Sequence, residues 1–214
     1  MDTPLNTSRV KQSFALLLLL ALIGCEGYGL YLTYREIGLD MFRYFTILSN
    51  AFSLIAAVCA LFPLLWGLGH KSGYFPVWVR AFRYFATCCL TLTMIVVLAV
   101  LAPAEGEGGY RKLLLEGSML YTHFICPVLS ILLFCILEVY PRLSSKVTIL
   151  SLLLPVVYAA IFIPLNIMRL TEGPYPFLMV YEQEIWMSAV WCAAILGGSY
   201  LLGLLLWWIN KKAR

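Results

Sequence analysis

Charge is scarce in this chain of 214 residues: Asp, Glu, Lys and Arg together make up 12%, against roughly 25% in an ordinary globular domain. Histidine is scarcer still, with His70 and His123 alone. The seven cysteines are an odd number with no C-x-x-C spacing, so neither a disulfide framework nor a thiolate metal site is expected. Zinc needs three or four closely spaced ligands, and two histidines on different sides of the expected topology do not supply them. No metal and no cofactor are therefore expected. A phosphate-cradling glycine loop, a dinucleotide glycine pattern and a G-x-S-x-G elbow are all missing. So are internal repeats, low-complexity tracts and Gly/Ser linkers. These absences argue against a soluble enzyme of a familiar motif class, and no nucleic-acid partner is read from the net charge of +4.

What is present is apolar: 62% of the residues are hydrophobic and 14% aromatic. A soluble domain of this length cannot hide that much apolar surface. A helical span needs about 20 mostly apolar residues, and six segments qualify, at about residues 13–34, 41–66, 82–103, 113–137, 147–165 and 185–209. Each run is too long for a strand of a membrane barrel, which alternates over about 10 residues. The expected fold is all-α, a single domain over residues 1–214 built as a bundle of six transmembrane helices. Arg9 and Lys11 precede an apolar run ending Leu22-Ile23-Gly24-Cys25, which resembles a lipoprotein cleavage box, but five more spans follow, so it reads as an uncleaved first span.

Ten of the fifteen Lys and Arg fall on one side of this topology, among them Arg9, Lys11, Lys71, Arg80, Arg83, Arg142, Lys146, Lys211, Lys212 and Arg214. Asp2 and Glu138 share that side, and most of the other acidic residues lie opposite. The positive-inside rule then places both termini in the cytoplasm. Trp66, Trp78, Trp186, Trp207 and Trp208 lie near span ends as interfacial anchors. Gly197, Gly198 and Gly203 suggest close packing of the last span.

Polar groups inside spans are costly and therefore candidates for function. Glu26 lies in the first span and His123 in the fourth. Thr46, Ser49, Asn50 and Ser53 follow i, i+3, i+4, i+7 spacing, one face of a helix. Thr46 lies six residues past Asp40, about 9 Å at 1.5 Å per residue, and His123 seven past Glu116, about 10 Å. Glu26 precedes Arg35 by nine residues, about 13 Å. Three helices thus bring polar groups to one layer of the outer half. The bland alternative is helix packing, since Ser, Thr and Asn often bond across membrane helices for about 0.6 kcal/mol each.

Three stretches carry a resemblance. Phe42-Arg43-Tyr44-Phe45-Thr46-Ile47-Leu48-Ser49-Asn50 resembles the second-span signature of the androgen-induced-protein-like family, which includes the androgen-dependent TFPI-regulating proteins and short bacterial members. Leu120-Tyr121-Thr122-His123-Phe124-Ile125-Cys126-Pro127-Val128-Leu129 resembles its histidine-plus-proline segment, and Pro174-Tyr175-Pro176-Phe177-Leu178 its bacterial P-Y-P-F stretch. The resemblance implies an intramembrane threonine hydrolase of fatty acyl esters, such as fatty acid esters of hydroxy fatty acids. It puts the nucleophile on Thr46 and the base on His123, in the cell membrane if the chain is bacterial.

A threonine hydroxyl attacks an ester only when a base takes its proton, and His123 is the one imidazole expected within the membrane. Asn50 and Ser49, on the Thr46 face, are the candidate oxyanion donors, and Glu26 a candidate supporting group. No Asp motif orients the histidine, so a dyad is expected. The Pro-Tyr-Pro-Phe segment reads as a rigid turn. Two other functions fit the same residues: a lipid- or partner-binding membrane protein without turnover, and a small proton-coupled transporter using Glu26 and His123. The substrate expected for the first reading is a membrane lipid or fatty acyl ester; the oligomeric state is left open.

Overall fold

A computed structural model describes residues 9–70, 75–137 and 143–212. Asp2, Lys71, Glu138, Arg142 and Arg214, whose charges entered the topology expectation, lie outside the described residues. Among those residues there is no strand, and six helices are long and apolar enough to cross a membrane. They are α1 (Arg9–Ile37), α2 (Phe45–His70), α3 (Val77–Ala104), α4 (Gly117–Cys135), α5 (Ser145–Ile167) and α6 (Ile185–Lys212). The chain is an all-α, multi-pass membrane protein.

Helix α3 is the centre of the bundle. Between Val79 and Thr93 it is buried nearly all round, as a helix enclosed by other helices must be. It packs against α2, α4, α5 and α6, while α1 packs against α2 and α4. Large apolar side chains such as Leu17, Phe62, Trp66, Ile161 and Leu201 stay exposed on the outside of the bundle. Lipid, equally apolar, is the solvent that suits them.

Close approach depends on two glycines. A Cβ on Gly29 of α1 would lie 2.8 Å from the Tyr121 Cβ of α4, and one on Gly203 of α6 2.7 Å from Ser151 of α5. Gly197 and Gly198 have open space on the side where a Cβ would stand. The close packing expected of that pair is therefore carried by Gly203 alone, which faces the bundle. Hydroxyl pairs join the helices as well: Thr87 to Ser130 at 2.9 Å and Ser49 to Thr93 at 3.0 Å.

Span boundaries differ from expectation where the backbone breaks. The second span begins at Phe45, because Gly38–Arg43 forms a separate 3-10 turn after Gly38 takes a φ of 60°. The fourth begins at Gly117, not near Leu113. Gly117 has a φ of 52°, a left-handed conformation that suits a residue without Cβ, and Glu116 before it is extended. Leu113 accordingly belongs to a short separate helix, Gly109–Leu115. The apolar run continues across the break, so hydropathy did not mark it.

Among the described residues, wide π-helical turns occur at Leu133–Leu137, where α4 ends, and within the spans at Val97–Leu101 of α3 and Leu120–Ile125 of α4. The two within the spans lie just upstream of a proline, Pro103 and Pro127 respectively. A proline cannot donate to the carbonyl four residues back, so the ladder loosens there and a turn widens. In α4 that carbonyl belongs to His123.

Candidate functional site

Thr46 stands in the first turn of α2, where the extended Tyr44 ends the preceding 3-10 turn. His123 lies in the widened turn of α4. The Thr46 Oγ1 is 3.2 Å from His123 Nε2, and both residues are buried. On the other side of the ring, His123 Nδ1 is 2.8 Å from the carbonyl oxygen of Leu113.

That second contact settles the tautomer. A carbonyl only accepts, so Nδ1 must carry the hydrogen and donate it. In the neutral ring Nε2 is then an unprotonated lone pair, and the Thr46 hydroxyl donates to it. Leu113 is in the last turn of its short helix, whose final carbonyls have no intrahelical donor. The break at Gly117 thus presents a free carbonyl that orients the imidazole, the place an aspartate takes in a serine triad.

The other expected residues divide into two groups. Asn50 and Ser49 do join Thr46, but they are engaged with its backbone. The Asn50 amide donates to the Thr46 carbonyl at 2.7 Å and to the Thr122 carbonyl of α4 at 3.1 Å. Both its N–H groups are thereby used, and it clamps α2 to α4 beside the dyad. The Ser49 hydroxyl is 2.8 Å from the Thr46 carbonyl and 3.0 Å from Thr93 Oγ1. Glu26 is wholly buried at a deeper level, with Ser53, Cys126 and Arg83 around its carboxyl group. Ser53 is seven residues beyond Thr46 on α2, about 10 Å away along the axis.

One residue at the site was not foreseen. The Thr46 backbone N–H donates to the phenol oxygen of Tyr175 at 3.3 Å, across 129 positions of sequence. Tyr175 is buried, and its ring sits among Tyr44, Tyr158 and Phe177, stacked on the last with centroids 5.2 Å apart. Its backbone is extended, φ −135° and ψ 148°, as the proline that follows requires. Burial raises the phenol above its usual pKa, so it keeps its proton. The sequence signal was the Pro-Tyr-Pro-Phe segment itself, legible as a rigid turn but not as a turn folded onto α2.

Two cavities meet at Thr46. One is narrow, about 70 Å3, almost entirely apolar, and runs between α3, α5 and α6, past Leu92, Val96, Ala159, Trp191 and Leu196. The other is a wider, open cleft of about 410 Å3 on the His123 side, edged by Thr33, Glu36, Glu105 and Leu113. Thr46, Leu101 and Tyr175 line both. Among the described residues no group of three His, Cys, Asp or Glu is placed to hold a metal ion. Comparison with known protein families, curated proteins and solved structures finds no match for this chain.

Proposed function

We propose that the protein is an intramembrane hydrolase of lipid acyl esters, with Thr46 as nucleophile and His123 as general base. The observation that carries this reading is the chain of contacts from Thr46 Oγ1 to His123 Nε2 and from Nδ1 to the Leu113 carbonyl. It gives a hydroxyl, a base in the correct tautomer and an orienting group. The apolar cavity ending at Thr46, narrow and lined by Leu92, Val96 and Leu196, supplies an apolar path for an acyl chain. The resemblance of the three sequence motifs to the androgen-induced-protein-like hydrolases points the same way. It suggests fatty acid esters of hydroxy fatty acids as substrates, and both termini in the cytoplasm.

His123 takes the Thr46 proton as Oγ1 attacks the ester carbonyl, and the carbonyl π pair moves onto oxygen. The intermediate collapses by breaking the bond to the alcohol, which receives the proton held on His123. An acyl-threonine remains. Water, entering from the open cleft beside His123, loses a proton to the same nitrogen and attacks the acyl carbon. Release of the fatty acid returns the proton to Thr46.

The test is covalent labelling of the purified protein by a fluorophosphonate probe, with lipid-ester hydrolysis measured in parallel. Wild type should label at Thr46 and hydrolyse esters, while Thr46→Ala and His123→Ala do neither. Equal labelling of all three proteins overturns the hydrolase and favours a binding protein that keeps the fold without turnover.

A further inference from the structure

The reaction proposed above places a negative charge on the former carbonyl oxygen, and an enzyme of this kind needs a donor aimed at that position. The donors nearest Thr46 are mostly committed. Asn50 gives its amide hydrogens to two backbone carbonyls, and the hydrogen of Ser49 is directed at the Thr46 carbonyl. Tyr175 differs. Its oxygen accepts from the Thr46 backbone N–H at 3.3 Å, which leaves its own hydrogen to be donated beside the Thr46 side chain.

We propose that Tyr175 is a third catalytic residue, whose hydroxyl donates the hydrogen bond that stabilises the oxyanion formed when Thr46 attacks the ester. The inference rests on the hydrolase reading. No proton is transferred to the substrate by Tyr175; the phenol keeps its hydrogen, and the bond shortens as charge builds on the oxygen.

Four features favour this role. Tyr175 lines both cavities at the point where they share Thr46, so an ester spanning the two has its carbonyl beside the phenol. The phenol oxygen accepts from the Thr46 N–H in the first turn of α2, a 26-residue helix. Accepting from that partly positive end withdraws electron density from the oxygen and makes its hydrogen a stronger donor. The aromatic cage of Tyr44, Tyr158 and Phe177 fixes the ring before substrate arrives, which is the preorganisation such a donor requires. The loop is also braced from outside: Asn166 of α5 accepts from the Val180 N–H at 3.0 Å, and Gln183 donates to the Phe177 carbonyl at 3.0 Å.

The experiment compares wild type, Tyr175→Phe and protein carrying 3-fluorotyrosine at position 175, with Thr46→Ala as the inactive reference. Ester hydrolysis is followed against substrate concentration and pH, and thermal unfolding in detergent is recorded for each protein. Loss of one oxyanion donor costs about 10²–10³-fold in kcat. Tyr175→Phe should therefore lose about that factor in kcat, with KM changed only a few-fold. A residue that merely held the loop would instead lower the unfolding temperature and raise KM together. Fluorination leaves the shape nearly unchanged but lowers the phenol pKa, so the alkaline limb of the rate profile should move to lower pH. This second variant reads the role even where Tyr175→Phe does not fold. Wild-type kcat in Tyr175→Phe, or an alkaline limb unmoved by fluorine, with Thr46→Ala inactive, overturns the role of Tyr175 and leaves the hydrolase standing. Wild type no more active than Thr46→Ala overturns the hydrolase itself, and Tyr175 with it.

Discussion

Asn50 of α2 reaches across the seam to α4 and donates its amide to the Thr122 carbonyl at 3.1 Å, one residue before the histidine of the dyad. The same amide holds the Thr46 carbonyl at 2.7 Å. A single side chain therefore holds the backbone at Thr46 and the backbone next to His123.

Asn50→Ala should weaken the site more than the fold. Losing buried hydrogen bonds and stranding their carbonyls costs about 1–3 kcal/mol. A misplacement of about 1 Å between reacting groups, by contrast, costs about 10²-fold in rate. Initial rates of ester hydrolysis should thus fall at least about tenfold while the protein still unfolds cooperatively in detergent. Unchanged rates would mean that Asn50 only packs.

Gly29 gives a sharper geometric test. An added Cβ meets the Tyr121 Cβ at 2.8 Å and Thr122 Cγ2 at 3.3 Å, atoms close to the α4 backbone that cannot swing away. Gly29→Ala should force α1 from α4 and cost about 1–3 kcal/mol as overpacking. Gly24→Ala, on the same helix with nothing within 4 Å, should be neutral or stabilising. Thermal unfolding of the two variants side by side decides the matter; a loss in both would refute the close contact.

The apolar cavity predicts selectivity. Ala159 lines it together with Leu92 and Leu196, and Ala159→Phe fills space there without touching the dyad. Long-chain esters should lose at least about tenfold in kcat/KM, and short-chain esters should keep most of theirs; one to two missing methylene contacts already amount to about 1–3 kcal/mol. A chain-length series measured on both proteins tests this. Parallel loss at every length would place the acyl chain elsewhere.

How much of this was readable beforehand follows the range of each signal. The six spans are local, because hydropathy averaged over one crossing is a property of consecutive residues. The Thr46–Ser53 stripe is local too, a matter of helical spacing, and all four of its residues lie on the buried face of α2. The orienting partner of His123 was not legible, since the Leu113 carbonyl is a backbone atom with no side-chain signature. Its availability depends on the break at Gly117, hidden inside an apolar run. Tyr175 was out of reach for a different reason: flanking prolines dictate an extended backbone, but not that the loop returns to α2 across 129 positions. Asn50 and Ser49 were placed correctly on the Thr46 face, yet spacing could not say that their hydrogens are directed at carbonyls.

Glu26 separates the hydrolase from the transporter. Its carboxyl group is wholly buried with Ser53, Cys126 and Arg83, a full two turns along α2 from the dyad, about 10 Å. A proton relay that uses Glu26 and His123 must lose function when the carboxyl is replaced, however well the shape is preserved. Ester hydrolysis by Thr46 and His123 has no step at that level of the bundle. Glu26→Gln, which keeps the side-chain volume and a polar end, should therefore retain hydrolysis to within a few-fold. Some loss of thermal stability is expected, because the Arg83 guanidinium then faces an amide where it faced a carboxyl group. Proton flux measured in liposomes carrying either protein completes the comparison. Flux that depends on Glu26 and survives Thr46→Ala would assign the polar core to transport, whereas hydrolysis that survives Glu26→Gln and vanishes in Thr46→Ala assigns it to catalysis.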